Sequence, residues 1–260
     1  MLVKELMELL IAPVGELAQT VDGIIIGDGN EEVRAIGTAF VCSYEVIEKA
    51  VDKGINVIIS HESIYYQHHD KYAQFGDCKV IEQKLDLLRK HNIQVIRFHD
   101  YAHRSVPDVI SAGFLDVLEW SSYAAQEQVD LLHLPEQSVG QIARHLKNRL
   151  AIDHIQLIGN PDQLCSNVWL RLGFRGNGDN CIPAYEQGNI QLIIAGEGLE
   201  WETPEYIRDA NAQGKAIAMI IVGHQKSEEA GMRFLARQLR HQLPQLSISH
   251  IDQQATIQYV

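Results

Sequence analysis

The sequence predicts an α/β protein of two α/β domains with mixed sheets, and three observations lead there. Short β-branched apolar runs alternate with stretches whose apolar residues recur at helical spacing, the order expected of strands and covering helices. The chain has 260 residues, 46% hydrophobic and 22% charged, enough for two medium domains with full cores. Periodicity lapses between Ser121 and Gln128. The expected domains are therefore 1–125 and 126–260, with the last strands and helix able to pack back on the first domain.

Residues 1–19 read as a helix with Leu2, Leu6, Leu9 and Leu10 on one face, broken near Pro13 and Gly15 because proline cannot continue the hydrogen-bond ladder. Val21 to Gly29 is a short strand bounded by glycines, and Ala35 to Val41 is a second. Ser43 can cap the next helix, where Val46, Ile47 and Ala50 face inward and Gly54 is the stop. Gly54 to Glu62 follows. Its Ile55, Val57, Ile58 and Ile59 suit a strand buried on both faces of a parallel sheet, and the run halts at Ser60, His61 and Glu62. Open α/β sheets bind ligands beyond the carboxyl ends of their strands, so His61 and Glu62 stand where chemistry is expected.

A polar loop rich in Tyr and His, with Tyr65, Tyr66, His68, His69 and Asp70, leads to a helix from about Lys79 to Lys90 carrying Ile81, Leu85 and Leu88. Ile93 to Phe98 is the next strand, followed by His99-Asp100-Tyr101-Ala102-His103. A helix then runs from Asp108 to near Trp120, with Ser105 and Pro107 ahead of it. Past the expected crossing, Leu131 to Leu134 and Pro135 precede a helix, Ser138 to Leu150, with Ile142, Leu146 and Leu150 at four-residue intervals. Ile155 to Ile158 and Val168 to Leu172 read as strands. Gly173 to Asp179 is a glycine-rich loop that could cradle phosphate with Arg175, but it lacks the P-loop pattern and turn chemistry is the commoner cause of such glycines. Ile190 to Ala195 is a buried strand entering Gly196 to Glu202, and Thr203 opens a helix closed by Gly214. Ala216 to Val222 ends at Gly223-His224, a helix from about Lys226 to Leu243 follows, and residues 246 to 260 finish as alternating strands.

The formal net charge of −12 and the lack of any basic run disfavour nucleic acid as a partner. Cys42, Cys78, Cys165 and Cys181 form no C-x-x-C pair, so neither a zinc knuckle nor a redox dithiol is indicated, and a reducing cytoplasm fits. The amphipathic N-terminus lacks a basic n-region and no apolar run approaches spanning length, which predicts a chain neither exported nor inserted in a membrane.

Four apolar runs end in ionisable residues: His61-Glu62, His99 to His103, Glu197 to Glu202, and His224. A lone histidine at a strand end is usually a satisfied structural residue. Four such ends converging would give the imidazole and carboxylate mixture preferred by Zn, Mn, Fe and Co. His224 and Glu228 are spaced i,i+4, so one helical face can present both to an ion. His68 and His69 read as loop decoration, and His91, His133, His145, His154, His241 and His250 as background.

With those residues in view, the order of motifs resembles the dinuclear-metal-centre hexameric protein family, also known as GTP cyclohydrolase I type 2 or Nif-three-like proteins. The resemblance spans almost the whole chain. Asp22-Gly23 to Gly27-Asp28 is similar to D-N-x-G-L-x-x-G-D, and Ile58 to Ser63 to a strand ending T/S-H-H-P. His99 to His103 falls on H-T-N-L-D, Gly196 to Glu202 on G-E-I-S-H-H-D, and Gly223 to Glu228 matches G-H-x-x-x-E in full. The resemblance implies metal ligands at His61, Glu62, His103, His224 and Glu228. Glu62 stands where the family has His, and His103 where it has Asp, with Asp100 or His99 as the alternative to His103 if the register differs. Val41 replaces an Asp and Glu200-Trp201 a His-His pair, which leaves the substrate open.

The resemblance further implies two divalent ions (Zn, Mn, Fe or Co) at the strand ends in the cleft between the domains, a homohexamer, and hydrolytic attack on GTP or a related nucleotide or small molecule. Glu200 or Glu197 is the expected proton carrier. The competing expectation is a metal-binding scaffold or regulator without turnover.

Overall fold

In the computed structural model, which describes residues 1–126 and 128–258, strands and helices alternate as the periodicity predicts. The elements run α1 (Val3–Ile11), β1 (Gly23–Ile26), β2 (Ala35–Val41), α2 (Tyr44–Asp52), β3 (Val57–Glu62), α3 (Lys79–Lys90), β4 (Gln94–Arg97), α4 (Asp100–Arg104) and α5 (Val109–Leu118). They continue with β5 (Leu131–Ser138), α6 (Val139–Leu150), β6 (Gln156–Ile158), β7 (Leu164–Arg171), α7 (Gly178–Gln187), β8 (Leu192–Ala195), α8 (Thr203–Ala212), β9 (Ala218–Ile221), α9 (His224–Gln242) and β10 (Ser247–His250).

Contacts divide the chain into two units: Met1–Ile110 with Gly231–Thr256, and a second built on Ser111–Ala230. The first holds a five-stranded sheet in the order β1-β4-β3-β2-β10, parallel except where β1 meets β4. β3 is central, and Val57, Ile58 and Ile59 are fully buried, which is why the run is β-branched with no polar face. Asn56, the one polar residue interrupting it, holds the start of β2. Its Oδ1 accepts from the backbone N–H groups of Arg34 (2.9 Å) and Ala35 (3.1 Å), and its Nδ2 donates to the Glu32 carbonyl (2.8 Å). Ser43 caps α2 by accepting from the Val46 N–H, and Val46, Ile47 and Ala50 are buried as their spacing predicts.

The second unit holds another five-stranded sheet, β5-β7-β8-β9-β6, with β7, β8 and β9 parallel and antiparallel strands at both edges. Every residue of β8 and β9 is buried. α7 and α8 cover one face, where Cys181, Tyr185, Ile193, Ile207 and Met219 share a core. Tyr185 is buried there because its hydroxyl donates to the Ala218 carbonyl at 2.6 Å. The two mixed sheets are the fold class expected from the sequence.

Several boundaries differ from those expected. The units part at Ile110/Ser111 and Ala230/Gly231 rather than at 125/126, because β10 pairs in parallel with β2 and draws the end of the chain to the first sheet. There, Gly37 allows Ile251 to close on the sheet; a Cβ at that position would lie 2.5 Å from the Ile251 Cδ1. The first helix ends at Ile11, ahead of Pro13. β5 continues through Pro135 to Ser138, with the proline inside a register break between His133 and Gln137, where no ladder N–H is required.

Two helices are unexpected. The Asp22 carboxylate accepts from the N–H groups of His99 (2.7 Å) and Tyr101 (2.9 Å), so α4 is capped by a distant residue rather than by its own sequence. α7 carries Pro183 and is capped by Asn177, a composition that reads as loop. Of the expected terminal strands only β10 forms among the described residues; positions 259 and 260 lie outside them.

Candidate metal centre

β3 and β4 are parallel neighbours, with Ser60 opposite Arg97, so the last residues of β3 are adjacent to those just beyond β4. This places His61, fully buried, against the first turn of α4. The His61 ring stacks on His99 at a centroid distance of 4.7 Å and meets the His103 ring edge-on at 5.1 Å. One potential ligand atom from each of His61, His99 and His103 lies within 4.8 Å of the others, and Glu62, His68 and His99 form a second such group.

Each of the three imidazoles has an acceptor at Nδ1. His61 Nδ1 is 3.0 Å from the Phe98 carbonyl oxygen, His99 Nδ1 is 2.9 Å from Asp100 Oδ1, and His103 Nδ1 is 3.2 Å from Asp108 Oδ2. An acceptor at Nδ1 holds the proton there and directs the lone pair of Nε2 outward, the arrangement found around metal-binding histidines. Burial and the neighbouring His61 push the His99 pKa down to about 4, against the opposing pull of Glu62, so its ring is neutral near pH 7. Burial alone would raise the Asp100 pKa, but hydrogen bonds from His99, the Val21 N–H and Thr20 outweigh it and bring it down to about 2.

Arg97 is also buried in this unit. Its guanidinium donates to the His68 carbonyl (2.5 Å) and to Asp70 (3.4 Å), and lies 3.6 Å from Glu62. The loop that the sequence suggested was decoration is therefore anchored at the site, and His68 faces His99 with ring centroids 5.0 Å apart. The signal that could have revealed this was Arg97 itself, a charge in a strand otherwise suited to burial.

In the second unit, His224 opens α9 just beyond β9. Its Nε2 is 3.0 Å from Glu228 Oε2 and its Nδ1 is 2.8 Å from Glu197 Oε1. Glu228 is buried, whereas Glu197 is about half exposed at 48%. The glycines of the 173–179 loop serve close packing. At Gly173 (φ +66°) a Cβ would lie 2.2 Å from Glu228 Oε1 and 3.3 Å from His224 Nε2, and at Gly176 it would lie 2.4 Å from the Glu197 carbonyl oxygen. Arg175 donates to its own loop at the Leu172 carbonyl. Glu200 stands on an exposed turn, and of the two expected proton carriers it is Glu197 that meets His224.

Of the expected ligands, His61, Glu62 and His103 cluster in the first unit together with His99 and His68, while His224 and Glu228 pair in the second with Glu197. Imidazole nitrogens backed by acceptors, carboxylates beside them and a glycine that leaves the Glu228 oxygen its space fit a first-row divalent ion.

The family model for Duf34/NIF3 (NGG1p interacting factor 3) matches residues 1–256. The chain belongs to the Duf34/NIF3 family. This Duf34/NIF3 protein is 23% identical over 241 residues to a GTP cyclohydrolase 1 type 2 homolog of Clostridium acetobutylicum, covering 87% of this chain and 84% of that protein. A 77-residue stretch, 30% of this chain and 20% of the relative, is 35% identical to a protein of the same description from Staphylococcus aureus. The crystal structure of Staphylococcus aureus hypothetical protein SA1388 aligns with a TM-score of 0.80 over 100% of this chain and 99% of that one, at 18% identity, which shows the shared fold. Among the described residues, no helix is long and apolar enough to cross a membrane.

Proposed function

We propose that this Duf34/NIF3 protein is a metal-dependent hydrolase of the GTP cyclohydrolase 1 type 2 kind, acting on a nucleotide or related small molecule. The observation that carries the reading is the cluster of His61, His99 and His103, each with an acceptor at Nδ1. The pairing of His224 with Glu228 and Glu197 supports it. The ligands would be His61, Glu62, His103, His224 and Glu228, holding up to two Zn, Mn, Fe or Co ions. Such ions, when bound, supply an acidified water and polarise the group attacked. Glu197, bonded to His224 and half exposed, is suited to receive a proton at its carboxylate and deliver it to a leaving group, with Glu200 on the adjacent turn as the alternative carrier. The reading includes a cytoplasmic homohexamer, which the free state of all four cysteines suits.

One observation favours the scaffold or regulatory reading. The Arg97 guanidinium, 3.6 Å from Glu62, supplies a fixed positive charge beside a proposed ligand and so discourages a second cation there. Metal content per chain, followed by GTP and phosphoester turnover assays on the metal-loaded protein, decides between them. About two ions per chain with turnover supports the hydrolase. One ion without turnover supports the scaffold, and metal-free protein after supplementation with Zn, Mn and Fe would refute both.

A further inference from the structure

The second unit carries a groove that the metal-dependent reading does not use. It lies between α7 and α8, with a volume of about 670 Å³, and its walls include Asp179 and Ile182 from α7, Trp201 and Glu202 just ahead of α8, and Glu205 and Asp209 along it. That volume is ordinary for a small-molecule site. Trp201 is 71% exposed, and an indole is one of the largest apolar surfaces a chain can bury against a ligand. It also stands where the chain departs from the His-His pair of the family motif.

Charge selects the occupant. Among the described residues no Lys or Arg lines the groove, whereas four carboxylates do. The helix dipole favours acids in a first turn, which accounts for Asp179 and Glu205. It does not account for Asp209, which stands in the C-terminal half of α8 where the dipole opposes an acid. Glu202, Glu205 and Asp209 recur at i, i+3 and i+7, on one helical face. Glu202 Oε2 accepts from the Gly178 N–H at 2.8 Å, and Glu205 pairs with Arg208 in an exposed i,i+3 contact of a kind that is individually weak. Among the described residues no three of these carboxylates bring oxygens within 4.8 Å of one another, so the set is too spread to close on a single metal ion and suits several charges on one flexible chain. Glu205 and Asp209 are about 6 Å apart along the helix axis, a step that a propane or butane chain between ammonium groups spans. We propose that this groove binds a linear aliphatic polyamine, with its ammonium groups on the α8 carboxylates and Asp179 and its methylene chain across Trp201 and Ile182. The indole face attracts an ammonium group, and alkyl stems lie on apolar surface while their charged heads stay at its rim. The metal-dependent reading is not required for this site.

The test titrates spermidine into the full-length chain at low salt, followed by calorimetry. Saturable binding is expected, with Trp201→Ala and the double variant Glu205→Gln/Asp209→Asn each weakening it by at least about threefold. Glu8→Gln, which removes an exposed acid on α1, should leave it unchanged. Absence of saturable binding, or affinity unchanged in both groove variants, overturns the inference. So does a loss in Glu8→Gln as large as theirs, or displacement of spermidine by an equal charge of Mg²⁺, because either shows attraction to the net charge alone. Tighter binding of trilysine than of spermidine assigns the groove to a basic protein segment and likewise overturns it. Should Trp201→Ala not fold, as judged by circular dichroism, the double variant decides, and unchanged affinity there overturns the inference.

Discussion

Replacing Gly173 by Ala should damage the second unit by two separable routes. The backbone at Gly173 has φ +66°, where an L side chain costs about 1–2 kcal/mol. The new Cβ would also lie 2.2 Å from Glu228 Oε1, so that buried carboxylate must retreat until an ordinary contact is restored. Retreat weakens its 3.0 Å hydrogen bond with His224, and charged hydrogen bonds of this sort contribute roughly 1.5–3 kcal/mol. The total is about 3–4 kcal/mol, taking both parts near the middle of their ranges. Gly214→Ala is the control: its φ is +88° and nothing lies within 4 Å of a Cβ there, so only the backbone cost of about 1–2 kcal/mol applies. Urea denaturation of both variants measures the difference. Gly173→Ala no more destabilising than Gly214→Ala would show that Glu228 is not held where this reasoning requires, and would remove the structural explanation of the glycine.

Two further outcomes are expected. Asn56→Leu leaves the Arg34 and Ala35 N–H groups without the Oδ1 that accepts both; a loss of about 2 kcal/mol is expected, and a variant as stable as the parent would mean that β2 does not depend on this tie. His99 titrates at about 4 in the folded chain against an ordinary 6.5, so the unfolded chain binds more protons between those values. In metal-free protein its contribution is therefore present above about pH 6.5 and lost as the pH falls toward 4, by up to about 3 kcal/mol. Denaturation of the parent and His99→Gln across that window should converge as the pH falls; a gap independent of pH would contradict the burial of a neutral ring.

Much of this molecule was determined by short stretches of sequence acting locally. The Val57–Ile59 run could only be a strand covered on both faces, Ser43 with the Val46, Ile47 and Ala50 stripe dictated α2, and G-H-x-x-x-E placed His224 and Glu228 one helical turn apart. These features depend on spacing, and spacing is written in the chain. What only the tertiary structure decided depends on partners far away in sequence. Asp22 makes a helix of 100–104, Phe98 orients the His61 ring, and Arg97 gathers the His68 loop. β10 pairs with β2 across most of the chain length and so moves the domain boundary. Hydrogen bonds and burial of this kind satisfy groups that no local pattern pairs, and for that reason His99 stood in the sequence only as an alternative to His103, while the fold sets its ring against that of His61.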